Sequence, residues 1–258
     1  MSLPRTAQSI FFSLVLALSP LQISAGEVTL IAQPVPVKTS ASEEIFPESW
    51  RKPPILASGG ELPEEQFERV CQVLGPAIKK YPPQVLEKHL KAVYVLSELK
   101  YSGVVTSGTN SRTVVYEKIG DVKQGFPDAH VESVFHAEFS SILLRNRKQD
   151  FDEQAWNKIN PPGFKYLGNG VDAVKQKKVG LALDEELHQQ GFLKEYSQST
   201  LENDFNAFAA KIFAGDGVIW RIADKHPKIQ QKLDLTLDFY KGLDPAFTPE
   251  YFLGLAQP

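Results

Sequence analysis

The stretch VESVFHAEFSSILLRN, residues 131–146, carries His136, Glu138, Ser140 and Ser141 among Phe, Val, Ile and Leu. Its apolar positions recur three and four apart, so it reads as an amphipathic helix. At about 100° per residue, positions two apart point nearly opposite ways. His136 therefore shares a face with Ser140, while Glu138 shares the other with Val134, Ser141 and Arg145. A carboxylate among so many apolar residues needs a partner or a task. Arg145 or Arg147 could pair it. For His136 the two readings are a hydrogen-bonded core imidazole and a metal ligand.

Upstream of this helix the period changes to two. KAVYVLSEL (91–99) alternates Ala92, Tyr94 and Leu96 against Val93 and Val95. VVT and TVVYEKI then flank a Gly-Thr-Asn-Ser turn, which predicts a small, mostly antiparallel sheet just before the helix. Earlier, LPEEQFERVCQVLGPAIKKY starts a helix near Pro63, with a break or kink at Gly75-Pro76, and PQVLEKHL (83–90) makes a short second one. Residues 26–60 are rich in Pro and Ser and keep no steady period. They read as an extended arm or linker, with at most one edge strand in GEVTLIAQPVPVK.

Downstream, Asp152–Ile159 suits a short helix and Asn160-Pro161-Pro162-Gly163 a turn. Residues 171–190 are irregular or partly helical. A clear helix follows in 195–215, capped by Ser199 or Thr200, with Glu202 and Asp204 in its first turns. A last helix covers 226–243, and the aromatic tail is expected to fold back. His89, His188 and His226 show no ligand spacing and read as surface residues.

The chain opens with Arg5, the apolar run IFFSLVLAL (10–18) and Ile23-Ser24-Ala25 before Gly26. That order predicts a signal peptide at residues 1–25, and so a protein exported to the periplasm or beyond, with no stable membrane insertion after cleavage. The net charge is −3, which leaves no electrostatic footprint for nucleic acid or a membrane surface. Cys71 is the only cysteine, so packing alone must hold the exported fold. Ser140 and Ser141 lack a Gly-x-Ser-x-Gly elbow and read as small packing residues.

Taken in order, the chain runs strand, strand, and a helix with Glu-Phe-x-x-Ile-Leu at 138–143. Then come Trp156, Asn-Pro-Pro-Gly-Phe-x-Tyr at 160–166, and Ser-x-x-x-Asn-Asp-Phe at 199–205. This resembles the exported, zincin-like family assigned as zinc-binding metallopeptidases in bacteria of the Bacteroidetes type. The likeness covers about residues 63–245. It implies an α+β, zincin-like fold in one domain over 61–258, with a small, mostly antiparallel sheet packed on several helices. It also implies zinc as cofactor, Glu138 as general base, and His136, Asp204 and Glu202 as candidate metal ligands. A substrate peptide would lie along an edge strand near 112–119. In the family's His-Glu-x-x-His the two histidines hold the zinc; here those positions are Ala137 and Ser141. Two functions therefore stay open. One is zinc-dependent peptide hydrolysis. The other is a zincin-fold protein that binds a peptide or protein partner without catalysis. An envelope structural protein is a third, weaker reading.

Overall fold

The computed structural model describes residues 23–24, 26–168 and 180–256. Among them eight strands form one sheet: β1 (Ile23–Ser24), β2 (Glu27–Ile31), β3 (Val37–Ser40), β4 (Ser58–Glu61), β5 (Ala92–Tyr101), β6 (Val104–Val105), β7 (Gly108–Asn110) and β8 (Val114–Lys118). The helices are α1 (Phe67–Lys79), α2 (Pro83–His89), α3 (Asp128–Asn146), α4 (Glu153–Ile159), α5 (Glu185–Gln190), α6 (Leu201–Ala214), α7 (Val218–Lys225), α8 (Pro227–Leu243) and α9 (Pro249–Leu255). The class is thus mixed α and β, as expected. The expected signal peptide falls mostly outside the described residues. No described helix is long and apolar enough to cross a membrane.

The sheet is built on β5. Its order is β1-β2-β3-β5-β8-β7, with β4 and β6 further along the two edges of β5. Most pairings are antiparallel, as expected, and the two parallel ones join β5 to β3 and to β8 at the centre of the sheet. Both faces of β5 are apolar, and each is covered. Val93 and Val95 face the helices, while Leu96 and Leu99 face a second cluster with Phe46, Ala57 and Tyr116. Strands covered on both sides read as nearly continuous apolar runs, as AVYVL does.

Two expectations need correction. Residues 26–60 are not a linker. They supply β2, β3 and most of β4, and their Phe46 packs at a tilt, 4.8 Å from Tyr116, against the outer face of the sheet. The Gly-Thr-Asn of the expected turn is itself strand β7, and the turn falls at residues 111–113. The sheet therefore ends at β7, and β8, which covers most of 112–119, is an interior strand.

Helix α3 lies between the sheet, α1 and α6. Val131, Phe135, His136, Phe139, Ile142 and Leu143 are all buried, so the helix is encased on several faces rather than plainly amphipathic. Each fully buried Phe or Leu contributes about 1.5–3 kcal/mol of apolar burial. Pro76 sits inside α1 without ending it. Thr200 caps α6 by accepting from the Asn203 amide at 2.9 Å. The tail does fold back: Phe247 and Phe252 are fully buried against Phe213 and Tyr240.

Candidate functional site

Glu138 lies where α3 passes under the terminal strand β7. A Cβ at Gly108 would come within 2.8 Å of Glu138 Oε1 and 2.7 Å of Val134 Cγ1. Only glycine lets the strand lie this close over the helix. Asn110, two residues along β7, donates its side-chain N–H to Glu138 Oε2. Arg145 does not pair Glu138 directly: it bonds Asn110 Oδ1, and its Nη1 donates to Glu202 at 2.8 Å. Arg147 is taken by Asp150. Glu138 thus meets its positive charge only through an amide. Removal from water pushes its carboxyl up to about 7; Asn110 and Arg145 oppose the rise and Glu202 adds to it.

A second carboxyl stands beside it. Glu117 on β8 is directly opposite Gly108, so its side chain leaves the sheet on the same face, toward α3. It is fully buried, and neither of its oxygens has a hydrogen-bond partner. Burial drives its pKa far above the carboxylate range, and the Glu138 charge adds to that. Both effects favour the protonated form of Glu117.

Over Glu138 opens a cleft of about 550 Å³. Its walls come from β7 and the loop before it, from α3, from Leu181–Tyr196, and from α6. Ala137 of α3 faces Asn206, Ala207 and Ala210 of α6 across it. Ser141 accepts a 2.6 Å hydrogen bond from Asn206. His130 is also in the wall, bonded to Ser107 at 3.2 Å, with burial holding its imidazole below the usual value.

The candidate metal ligands do not converge on Glu138. His136 points away, as helix geometry requires. Its ring is fully buried and stacked 5.1 Å from Phe213, with Nδ1 bonded to Tyr81 at 2.9 Å and Nε2 3.4 Å from Glu132. Burial holds it down to about 4 against the pull of Glu132, whose charge Lys80 already meets at 2.5 Å. Asp204 is a structural carboxylate. Its Oδ2 accepts from buried Lys232 at 2.6 Å and Trp156 at 3.1 Å and from partly buried Tyr166 at 2.8 Å. Burial pushes Asp204 up and Lys232 down, opposed by their mutual attraction. Glu202 is paired with Arg145 at the rim.

The residues present do not fit a zinc ion at Glu138. Zinc needs thiolate, imidazole or carboxylate donors in tetrahedral array. The side chains beside Glu138 on the two helices are Ala137, Ser141, Asn206 and Ala207, and Glu202, whose charge reaches Glu138, is tied to Arg145. His130 is two turns away on α3, about 12 Å along the axis. Among the described residues no group of three or more His, Cys, Asp and Glu could hold a metal ion.

No protein-family model matches the chain, and no curated protein does. One solved structure is similar. It is from Bacteroides caccae ATCC 43185 and is named a "putative zinc-binding metallo-peptidase". The identity is 15%, the match covers 73% of this chain and 76% of that one, and the TM-score is 0.47.

Several residues of the site were not singled out from the sequence. Glu117 had a signal, since it shares a strand face with buried Val115. Asn110, Asn206 and Lys194 had none, because strand pairing, helix packing and loop path bring them in. His89 and His188, expected on the surface, are buried; His188 Nε2 bonds the Leu193 carbonyl at 3.1 Å. His136→Ala is expected to destabilise the fold by about 2–3 kcal/mol, by opening a cavity in the aromatic cluster and orphaning Tyr81. Chemical denaturation checks it. Unchanged stability would show that His136 is not a structural imidazole of the core.

Proposed function

We propose that this chain is an exported peptide-binding protein on a zincin-like frame, and that it binds without metal-dependent hydrolysis. The observation that carries this reading is the set Ala137, Ser141 and Ala207 around Glu138, with Ser141 committed to Asn206. A peptide needs a place to lie, and β7 offers one. It is the last strand of the sheet order, and no strand covers its outer edge among the described residues. An extended segment could add to that edge through backbone hydrogen bonds while its side chains enter the cleft. Glu138, poised between its two protonation states near neutral pH, can donate to or accept from such a ligand.

The test compares zinc and peptide. The protein, purified without a His tag, is measured for zinc by mass spectrometry, and for cleavage of a quenched-fluorescent peptide library with one equivalent of added zinc. Sub-stoichiometric zinc, no cleavage, and capture of intact peptides from the same library are expected. Zinc-dependent cleavage that Glu138→Gln abolishes would restore the metallopeptidase reading and overturn this one.

A further inference from the structure

Two lysines line the cleft, Lys194 and Lys211. Lys194 lies in its wall, on extended backbone just after α5. No acid stands within ion-pair distance of it among the described residues, whereas the neighbouring Lys211 is paired with Asp216 at 2.8 Å. His130 stands in the wall of the same cleft. Burial, with Lys211 beside it, brings the Lys194 ammonium down to about 8, so it is still mainly charged at neutral pH. A half-buried ammonium without a counter-charge is costly, and an incoming anion would relieve it.

Around Lys194 the wall is apolar. Leu193 is fully buried, while Leu181 and Leu183 are 56% and 38% exposed at the mouth of the cleft. Leucines this open beside a cavity mark a contact surface. We propose that Lys194 takes the terminal carboxylate of the bound peptide and that Leu181 and Leu183 take an apolar C-terminal side chain. This rests on the peptide-binding reading above and adds the end of the peptide that the cleft recognises.

The argument for a C-terminus is spatial. An apolar group and a carboxylate must fit within one residue of each other, and only a C-terminal apolar residue carries both on one Cα. An internal Asp or Glu would put its carboxylate where the leucines ask for an apolar group. A fatty acid carries both groups too, but it would leave the open edge of β7 unused.

The test uses two N-acetylated peptide libraries ending in Leu, one with a free carboxylate and one amidated, titrated against the untagged protein. The free acid is expected to bind about tenfold or more tighter than the amide. Lys194→Met is expected to remove the difference and bind both at the amide level, and Lys194→Arg to keep it. Thermal melting of both variants confirms that they fold. Equal binding of the two libraries by the wild type overturns the carboxylate inference and leaves peptide binding standing. Binding of neither overturns both. Displacement of the acid library by laurate at lower concentration than by the peptide itself overturns the peptide as occupant.

Discussion

Asp204→Ala is expected to cost about 3–5 kcal/mol of stability, because it leaves the Lys232 ammonium buried without its counter-charge. Both side chains are fully buried, and their atoms meet at 2.6 Å. Lys232 also lies 4.2 Å from the centre of the Phe192 ring and 5.0 Å from that of Trp156, so it has no path to water on those sides. The substitution further removes the acceptor of the Tyr166 hydroxyl and one of the two acceptors of the Trp156 indole N–H. For a chain of this size each kcal/mol shifts the melting temperature by about 2–4 °C, so a fall of about 10 °C is expected. The double variant Asp204→Leu with Lys232→Met is expected to recover most of the loss, since an apolar pair of similar volume removes the desolvation cost. A metal ligand would behave otherwise. If Asp204→Ala melts like the wild type while zinc content falls, the structural assignment of Asp204 is wrong.

Glu138→Gln is expected to stabilise the protein at pH 8 by about 3 kcal/mol and to leave it nearly unchanged at pH 4. The sign follows from the shift. The folded carboxyl titrates at about 7, above its ordinary 4.5, so the folded state holds the proton more tightly. Stability is then full below about pH 4.5, falls as the pH rises to about 7, and is level above that. The variant lacks this fall. Removing the Glu138 charge also eases the ionisation of Glu117, so the quantity to read is the difference between the two melting curves across pH, which holds both effects. Parallel curves from pH 4 to 8 would show that Glu138 ionises freely and is no strained cleft carboxyl. A stabilised variant that binds peptide less well would be the mark of a group kept at a cost in stability for its function.

The helix at the centre of the sequence was legible, and so were its faces. The 3.6-residue period and an angular count placed His136 opposite Glu138 without coordinates, and the structure finds it stacked on Phe213. The Thr200 cap, the interior strand β5 and the aromatic tail were legible for the same reason: each is written in a local pattern of a few residues. Pairing was less so. Nothing in Gly-Thr-Asn marks it as strand rather than turn, because its partner Val115-Tyr116-Glu117 decides that from outside. Residues 26–60 lack a period because their strands are short and broken by Pro, yet they pair with one another and with β5.

By itself the sequence determined the composition of the motif helix, and with it the positions Ala137 and Ser141 beside Glu138. It could not decide the partners of Asp204. An acid in the first turn of a helix is a helix-end charge, a metal ligand or half of an ion pair, and the choice depends on what packs opposite it. Tertiary structure brought Lys232, 28 residues later, to that carboxylate, and Glu117, 21 residues earlier, to Glu138. Local patterns fix which way a side chain leaves its own helix or strand. Only the packing of elements distant in sequence fixes what it meets there, and so whether it is core, ion pair or site.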